Sequence, residues 1–177
     1  MSGEFALISR KLHATDGVNY ELGIANGKPY ARYTDYLGNE VRVDAGEAVT
    51  AGAWTHIAAR LEMTEDSMDN ILTLFVDGRA VIAKDVAIIP TTEPGDLVFG
   101  SAGFKGQMFN IRVWKIAQSD SSIHGMMRSE LLGGKIDGLS GVLTVTGNGF
   151  LKESATTLKD DGLPIDLLEH TWTIECW

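Results

Sequence analysis

The sequence predicts an all-β fold, an antiparallel sandwich of two sheets with one short helix. Short runs rich in β-branched and aromatic residues recur along the chain, and clusters of turn residues separate them. The 177 residues include 20 glycines, which suits a chain with many tight turns. Many short strands with regular turn signals are typical of a sandwich. Only residues 119–134 have the periodicity of a helix.

The strands are predicted from period-2 alternation of apolar and polar residues and from the turns that bound each run. They cover residues 5–10, 19–25, 29–35, 40–44, 54–63, 71–77, 79–84, 96–100, 107–115, 142–147 and 172–177. Glycine follows Asn or Asp in several turns, where the backbone needs positive φ. Asp77 and Gly78 form the clearest such turn and predict a two-residue hairpin. Ser119 is the predicted cap of the helix, and Gly133 is its predicted end.

Alternation within the strands predicts which side chains form the core. In the run 54–63, Ile57 and Leu61 share one face, and His56 and Arg60 share the other. One-sided strands are expected when two sheets share one core and each keeps a solvated outer face. The residues expected in the shared core are Ile57, Leu61, Leu74, Val76, Ile111, Val113 and Ile174.

Composition and charge restrict the classes of function. The chain is 44% hydrophobic and 22% charged, as in ordinary globular domains, and it has no apolar run long enough to span a membrane. Residues 1–11 lack the apolar segment of a signal peptide. The formal net charge of −9 argues against nucleic acid or an anionic membrane as the partner. Cys176 is the only cysteine, so we expect no internal disulfide and no zinc site built from cysteines.

Three segments carry a resemblance to a known family. They are AWTHIAARLE at 53–62, LTLFVDGRAV at 72–81 and GFKGQMFNIRVWKIAQSDSSI at 103–123. In this order and spacing they are similar to the laminin-G-like and pentraxin group of concanavalin A-like jelly rolls. The resemblance implies a jelly-roll sandwich. It does not by itself name a function, because this scaffold hosts many functions.

The order of the segments departs from that family. The family normally opens with strands similar to GVLTVTGNGFL at 141–151 and HTWTIECW at 170–177, which here come last. The resemblance therefore implies one domain over residues 1–177, circularly permuted or cut from a tandem array, in which 141–177 supplies the family's first strands. The final strand then needs a partner in the body of the domain, and we expect it beside residues 5–11.

Two ways of completing the sheet remain open. Self-insertion of the tail gives a monomer and is favoured, because a tethered segment acts at roughly millimolar effective concentration. Exchange of the tail with a neighbouring molecule gives a homo-oligomer. An unfilled slot would expose the core of both sheets, so one of the two should occur.

Nothing in the sequence marks a catalytic site. The paired carboxylates of jelly-roll glucanases are missing, and the nearest acidic cluster, residues 62–66, runs into a loop. There is no G-x-S-x-G motif, and the four histidines lack the spacing of metal ligands. His56 occupies the family's Trp-x-His position, which implies a packing role. We therefore expect no catalytic residue and no enzyme.

Calcium is the one cofactor that the resemblance raises. Pentraxin-like members bind it through oxygen ligands that include an Asp–Asn pair, and the matching residues are Asp16 and Asn19. The family's other ligands lie on an acidic loop, which here holds Ser101, Ala102 and Lys105 instead. Half a site beside a lysine should bind calcium poorly, so we expect no cofactor.

A sugar-binding surface is the most specific functional prediction. The run KPYARYTDY at 28–36 places Tyr30, Arg32 and Tyr36 on one side of a strand. Tyrosine rings can stack on sugars, and arginine can anchor an acidic group. The alternative is an ordinary outer strand whose long side chains protect its backbone.

Two functions from different classes follow. The first is a non-catalytic recognition module of a larger protein, which binds a glycan or a protein surface. The second is a structural or assembly unit that associates by strand exchange between repeats. Association that depends on concentration would favour the second, and a hit on a glycan array would favour the first.

Overall fold

A computed structural model describes residues 2–63, 70–86, 90–91, 93–129, 139–143, 156–158 and 171–177. Within these ranges the chain forms strands and one short helix. The strands are β1 (Glu4–Leu12), β2 (Val18–Ala25), β3 (Lys28–Thr34), β4 (Glu40–Asp44), β5 (Ile57–Met63), β6 (Asn70–Val76), β7 (Arg79–Val86), β8 (Gly95–Phe99), β9 (Ile111–Trp114), β10 (Leu139–Leu143), β11 (Thr156–Leu158) and β12 (Trp172–Cys176). The helix is α1 (Asp120–Met126).

The strands form two sheets of six strands each. The first sheet has the order β11-β8-β1-β2-β3-β4, and the second has the order β10-β9-β12-β5-β6-β7. Neighbouring strands are antiparallel in both sheets. This architecture confirms the predicted all-β, two-sheet jelly-roll sandwich with one short helix.

Several elements differ from the sequence prediction. The strand predicted at 107–115 begins only at Ile111, because Asn110 has a φ of 49° and breaks the extended backbone. Strand β11 was not predicted. Helix α1 ends at Met126 and is capped as expected by Ser119, whose side chain accepts a hydrogen bond from the N–H of Ser122. The predicted end at Gly133 lies outside the described residues.

The predicted hairpin between β6 and β7 is confirmed. Asp77 and Gly78 have φ values of 49° and 71°, as a two-residue hairpin turn requires. Gly78 also lies against α1, since a Cβ at this position would be 2.8 Å from Met127 Sδ. A side chain at Gly78 would therefore strain the turn and push the helix away.

The hydrophobic core fills the space between the two sheets. Six of the seven residues expected there are buried in it, and Val76 is the exception. Val76 is only half-buried because it ends β6 beside the hairpin turn and pairs with Arg79 on the edge strand β7. Trp172 and Tyr20 join the two sheets across the core, with ring centroids 5.5 Å apart.

The terminal strand β12 has two partners in its own chain. It lies between β5 and β9, with Ile174 opposite both Ala59 and Val113. The expected position beside residues 5–11 is therefore wrong, because β1 belongs to the other sheet and already pairs with β2 and β8. Whether residues 141–177 correspond to the first strands of the family stays a prediction.

Helix α1 covers the outer face of the second sheet. Its Ile123 packs with Ala58 and Phe75 in a small buried cluster outside the main core. The expected solvated outer face is therefore wrong for this sheet, where His56 and Arg112 are each 1% exposed. Among the described residues, no helix is long and apolar enough to cross a membrane.

Candidate functional site

An open cleft lies at one end of the sandwich, between the loop that precedes β5 and the loop that precedes β9. Its volume is about 330 Å³. Both sheets contribute to it through residues near the ends of β1, β2, β5 and β12. The lining residues are Leu7, Ile24, Val49, Thr50, Ala51, Gly52, Ala53, Trp54, Thr55, Ile57, Phe104, Lys105, Gly106, Gln107, Met108, Cys176 and Trp177.

The floor of the cleft is the end of the hydrophobic core. Leu7, Ile24, Ile57, Met108 and Cys176 line it, and all five are buried members of the core cluster. A ligand that reaches this floor would therefore meet apolar atoms. Concave sites of this kind bind apolar groups and use a few polar side chains to orient them.

The rim of the cleft is aromatic and carries little charge. Trp54 is 48% exposed, and its ring meets the ring of Phe109 edge to face at 4.9 Å between centroids. Lys105 is the only charged side chain among the described residues that line the cleft. Thr50, Thr55 and Gln107 supply its uncharged polar side chains. The rim thus offers an indole surface, three neutral polar groups and one cation.

Trp177 holds the aromatic side of the cleft in place. Its backbone exchanges two hydrogen bonds with Phe109, at 3.1 Å and 3.0 Å, and the two rings are stacked with centroids 6.0 Å apart. The indole N–H of Trp177 donates to the carbonyl oxygen of Met127 at the end of α1. The terminal residue therefore links the cleft to the helix.

A buried charged cluster lies behind this wall, on the outer face of the second sheet. Glu175 Oε2 is 2.9 Å from His56 Nε2, and its Oε1 accepts from the Trp114 indole N–H at 3.0 Å and from Arg112 at 3.3 Å. Arg112 also donates to the carbonyl oxygens of Met126 and Ser129. The cluster joins β5, β9 and β12 to the helix region.

The cluster keeps Glu175 ionised. Burial by itself would raise the pKa of this carboxyl, but the hydrogen bond and charge of His56, the charge of Arg112 and the Trp114 hydrogen bond lower it below its ordinary value. His56 and Glu175 are 1% and 2% exposed, so water and substrates do not reach them. The expected packing role of His56 agrees with this position, and the cluster is structural.

Cys176 lies at the cleft floor as an unreactive thiol. The side chain is 1% exposed, and burial raises the pKa of the thiol to about 12. Thiolate is the reactive form of cysteine, so this residue is not a nucleophile at neutral pH. It contributes an apolar surface to the floor.

The structure brings two of the three predicted sugar-binding residues together and encloses one of them. Tyr30 is 1% exposed, its hydroxyl donates to Glu21 at 2.7 Å, and the Arg42 guanidinium covers its ring at 4.1 Å. Arg32 bonds the same Glu21 at 2.7 Å and Glu40 at 2.6 Å. The ring face that a sugar would need is occupied by Arg42.

Tyr36, the third predicted residue, lies apart from this pair. Strand β3 ends at Thr34, so Tyr36 is in the following turn rather than on the strand, and it is 63% exposed. The expected single face of three residues is therefore wrong. The reason is that Asp35 turns the chain through hydrogen bonds to Leu37 and Asn39.

The two predicted calcium ligands are also in different environments. Asp16 is exposed in the loop between β1 and β2, whereas Asn19 is 6% exposed within β2, and its amide N–H donates to the Thr91 carbonyl oxygen at 2.6 Å. No group of three or more acidic, His or Cys side chains suited to a metal ion occurs in the described residues. Weak or absent calcium binding at Asp16 and Asn19 stays a prediction.

The cleft is not apparent from the sequence pattern. Trp54 was assigned to a strand and to a family motif, but the strand begins three residues later, at Ile57. The sequence feature that could have indicated a cleft is a large aromatic residue surrounded by small residues. It occurs twice, in GEAVTAGAWT at 46–55 and in GSAGFKG at 100–106. Large aromatic residues among small ones can mark a loop that surrounds an opening. Only the tertiary structure places the two loops side by side.

The comparison with protein families agrees with this fold. Residues 2–124 match a laminin-G-type family model described as the concanavalin A-like lectin/glucanases superfamily. The chain belongs to this superfamily. Its laminin-G-like domains are generally binding modules, and they bind glycans or proteins. No curated protein and no solved structure gives a significant match.

Proposed function

We propose that this domain is a non-catalytic recognition module of a larger protein, and that it binds a protein ligand by burying an apolar side chain in the cleft. The observation that carries the proposal is an open cleft whose floor is the hydrophobic core and whose rim holds the half-exposed Trp54. Tryptophan is among the residue types that most often dominate the binding energy of protein interfaces.

The composition of the cleft favours a protein ligand over a sugar. Sugars need several hydrogen-bonding groups around their hydroxyls, whereas the side chains of the cleft floor are apolar. A leucine, methionine or aromatic side chain would fill such a floor, and burial of one such group contributes roughly 1.5–3 kcal/mol. The polar rim would bond the backbone of the ligand.

A glycan is the second candidate ligand. The exposed face of Trp54 could stack on a pyranose ring, with Thr50, Thr55 and Gln107 near enough to share the cleft with it. The enclosed Tyr30 makes the outer face of the first sheet a poorer sugar site than this rim.

Assembly by strand exchange has less support than recognition. The terminal strand pairs on both sides within its own chain. The edge strand β7 places Lys84 opposite Leu72, on the core-facing side, and its pairing with β6 is interrupted by a bulge beside Leu74. Inward-pointing charges and bulges on edge strands discourage pairing with another chain.

The proposal is tested by probing one labelled preparation of the protein with a displayed library of short peptides and with a glycan array. We expect peptides that share an apolar residue to bind wild type. Their affinity should fall at least tenfold in Trp54→Ala. Truncation of a tryptophan at a binding hot spot costs about 2 kcal/mol or more, and about 1.4 kcal/mol already corresponds to tenfold in affinity. Binding should be unchanged in Val81→Ala, an equally exposed apolar control on β7.

Two results would contradict the proposal. Peptides whose affinity is the same in wild type and in Trp54→Ala would place the site elsewhere. If the protein binds glycans but no peptide, and if Trp54→Ala abolishes this binding, the ligand of the cleft is a glycan and not a protein. Melting temperatures of both variants control for unfolding.

A further inference from the structure

A second recess adjoins the cleft. It lies between the segment that follows β4 and the hairpin that joins β6 to β7, and its volume is about 420 Å³. Val49, Thr50 and Thr55 line both cavities. The cleft and the recess are therefore two parts of one groove, separated by a shared wall, and a single extended ligand can enter both.

The recess is acidic, whereas the floor of the cleft is apolar. Glu47 and Asp77 are the only charged side chains among the described residues that line the recess, and both are exposed. No lysine, arginine or histidine of the described residues belongs to this lining, so the two negative charges are not neutralised from within it. We refer to this cavity as the acidic recess.

Both carboxylates of the acidic recess keep oxygen atoms for a ligand. Glu47 forms no ion pair within the described part of the chain, whereas Glu40 and Asp44 on the first sheet are paired with arginines. Asp77 Oδ1 accepts a hydrogen bond from the backbone N–H of His56 at 3.0 Å, and Oδ2 has no such partner among the described residues. This bond orients the Asp77 carboxylate, and a group ordered before binding loses little conformational entropy when it binds.

Charge distinguishes the two halves of the groove. Lys105 is the only charged side chain among the described residues that line the cleft, and no described residue of its loop lines the acidic recess. A basic side chain is therefore repelled in the cleft and attracted in the acidic recess. The formal net charge of −9 also favours the approach of a cationic ligand over an anionic one. A ligand with one apolar and one basic group can thus bind in only one orientation.

We infer that the ligand is a peptide segment in which a lysine or arginine lies two positions from the apolar anchor, and that Glu47 and Asp77 bind its cation in the acidic recess. The inference rests on the proposed function, since it specifies the protein ligand of the same groove. An extended peptide advances about 3.3 Å per residue and presents alternate side chains on one side, so residues two positions apart suit two cavities that share a wall. The apolar residue supplies most of the affinity, and the basic residue supplies selectivity.

Synthetic heptapeptides test the inference by fluorescence anisotropy with the intact protein. They are labelled, capped at both ends and made of glycine and serine except at two positions. One position holds leucine, methionine, phenylalanine or tryptophan, and the position two residues away holds lysine, serine or glutamate, in both orders. We expect the lysine peptides to bind wild type at least about threefold more tightly than the matching serine peptides, and the glutamate peptides to bind most weakly.

The double variant Glu47→Gln, Asp77→Asn should remove the preference for lysine. Both side chains keep their size, and an asparagine can still accept from the His56 N–H and adopt the φ of 49° that Asp77 has in the turn. The serine peptides should bind this variant as they bind wild type. Trp54→Ala should weaken the lysine and serine peptides by the same factor. Val81 lines the acidic recess as well, but Val81→Ala leaves both carboxylates in place and should keep the preference.

The matched control is Asp16→Asn, Glu93→Gln, which removes the same two charges at exposed positions. Each of these residues is close in sequence to one that hydrogen-bonds Thr34 at the end of β3, whereas Ala45 of the acidic recess bonds Pro29 near its start. The seven residues of β3 span about 20 Å at the usual rise of a strand. The preference for lysine should therefore persist in the control.

Four results would overturn the inference. Equal affinity for the lysine, serine and glutamate peptides, with binding that depends on Trp54, leaves the recognition module standing and rejects the basic residue as part of its ligand. A preference for lysine that survives in Glu47→Gln, Asp77→Asn, or that the control removes equally, places the effect outside the acidic recess. Binding of lysine peptides that does not depend on Trp54 rejects the cleft as the site of the anchor, and with it the proposed function. Absence of binding by every peptide would reject both.

Discussion

The outer faces of the two sheets carry similar charged residues but meet water differently. On the second sheet the Glu175 and Arg112 side chains are each 2% exposed, under helix α1 and the residues after it. On the first sheet Arg32 and Glu40 form a pair with side chains 26% and 48% exposed. An acidic residue and an arginine on neighbouring strands therefore form either a surface ion pair or a buried structural cluster, and what covers the sheet decides which.

Glu21 shares the sheet of Glu40 and the burial of Glu175. It belongs to the open first sheet, yet its side chain is 3% exposed because Tyr30 and Arg32 close over it and bond its carboxylate. Side chains alone can therefore bury a charge without a covering helix. Glu175 and Glu21 are therefore buried to the same degree by different means, a covering helix and neighbouring side chains, whereas Glu40 is exposed.

Removal of residues 171–177 should have the largest effect on the second sheet. It deletes a central strand together with Glu175, and burial of Trp172 and Ile174 contributes roughly 1.5–3 kcal/mol each out of a total of ~5–15 kcal/mol. We expect an aggregated or unfolded product by circular dichroism and sizing. Deletion of residues 1–3 is the control and should leave the fold intact. A soluble truncated chain with an unchanged melting temperature would contradict the central place of β12.

Glu175→Ala should destabilise the fold by about 3–5 kcal/mol, because it leaves the Arg112 charge buried without its carboxylate. The quantity to measure is the free energy of unfolding in urea. Glu40→Ala, the exposed counterpart on the first sheet, should change it by about 0–1 kcal/mol. Equal effects of the two substitutions would mean that burial does not distinguish the two faces.

Acid should remove the contribution of Glu175 as well. The folded pKa of this carboxyl lies below its ordinary value of 4.5, so its ionised form stabilises the fold above about pH 4.5. That contribution is lost as the pH falls through the folded pKa. We therefore expect the stability difference between wild type and Glu175→Gln to be constant near neutral pH and to shrink below pH ~4.5. A difference that does not change between pH 7 and 3 would show that Glu175 is not the titrating group.

Glu21→Ala should have an intermediate effect of about 1.5–3 kcal/mol, because it removes hydrogen bonds to a charged group and leaves the Tyr30 hydroxyl buried without an acceptor. Tyr30→Phe removes the same hydroxyl together with its need for an acceptor. The double variant Glu21→Ala, Tyr30→Phe should therefore be less destabilised than the sum of the two single variants. Simple additivity in urea unfolding would contradict a direct interaction between them.

Arg42→Ala should have the smallest effect of the series. Its side chain is 22% exposed and pairs with Glu4 and Asp44, which are 43% and 49% exposed, so the ion pairs contribute at most about 1 kcal/mol. The substitution also uncovers the Tyr30 ring. The melting temperature should fall slightly and become less sensitive to salt. A loss as large as that of Glu175→Ala would mean that the first sheet is held by its outer charges.

Most of the fold could be predicted because its signals are local. Alternation along β5 and β6 and the Asp77–Gly78 turn predict strands and a hairpin without reference to the rest of the chain. The break before β9 could not be predicted in this way, because alternation of apolar and polar residues does not show that Asn110 adopts a positive φ. The burial expected for Val76 was wrong for a similar reason. Alternation predicts which face of the strand a residue is on, but not how close it lies to the end of the strand or the edge of the sheet.

The candidate site could not be predicted from local patterns. Trp54 and Trp177 are more than a hundred residues apart in the sequence and line one cleft because β12 lies beside β5. The tyrosine and arginine of β3 were predicted to be available to a ligand, but Glu21 and Arg42 on the neighbouring strands occupy them. Which strands are neighbours decides whether an aromatic residue is a binding surface or part of a packed layer.

The sequence by itself determined the strands, their turns, the inward faces and the superfamily, because each depends on residues close together in the chain. The tertiary structure alone decided the place of β12 between β5 and β9, the burial of Glu175 and the opening of the cleft. Alternation is symmetric between the two faces of a strand and carries no information on what covers the outer one. That covering depends on contacts between distant segments, and it decides which charged residues hold the fold together and which aromatic residues remain free to bind.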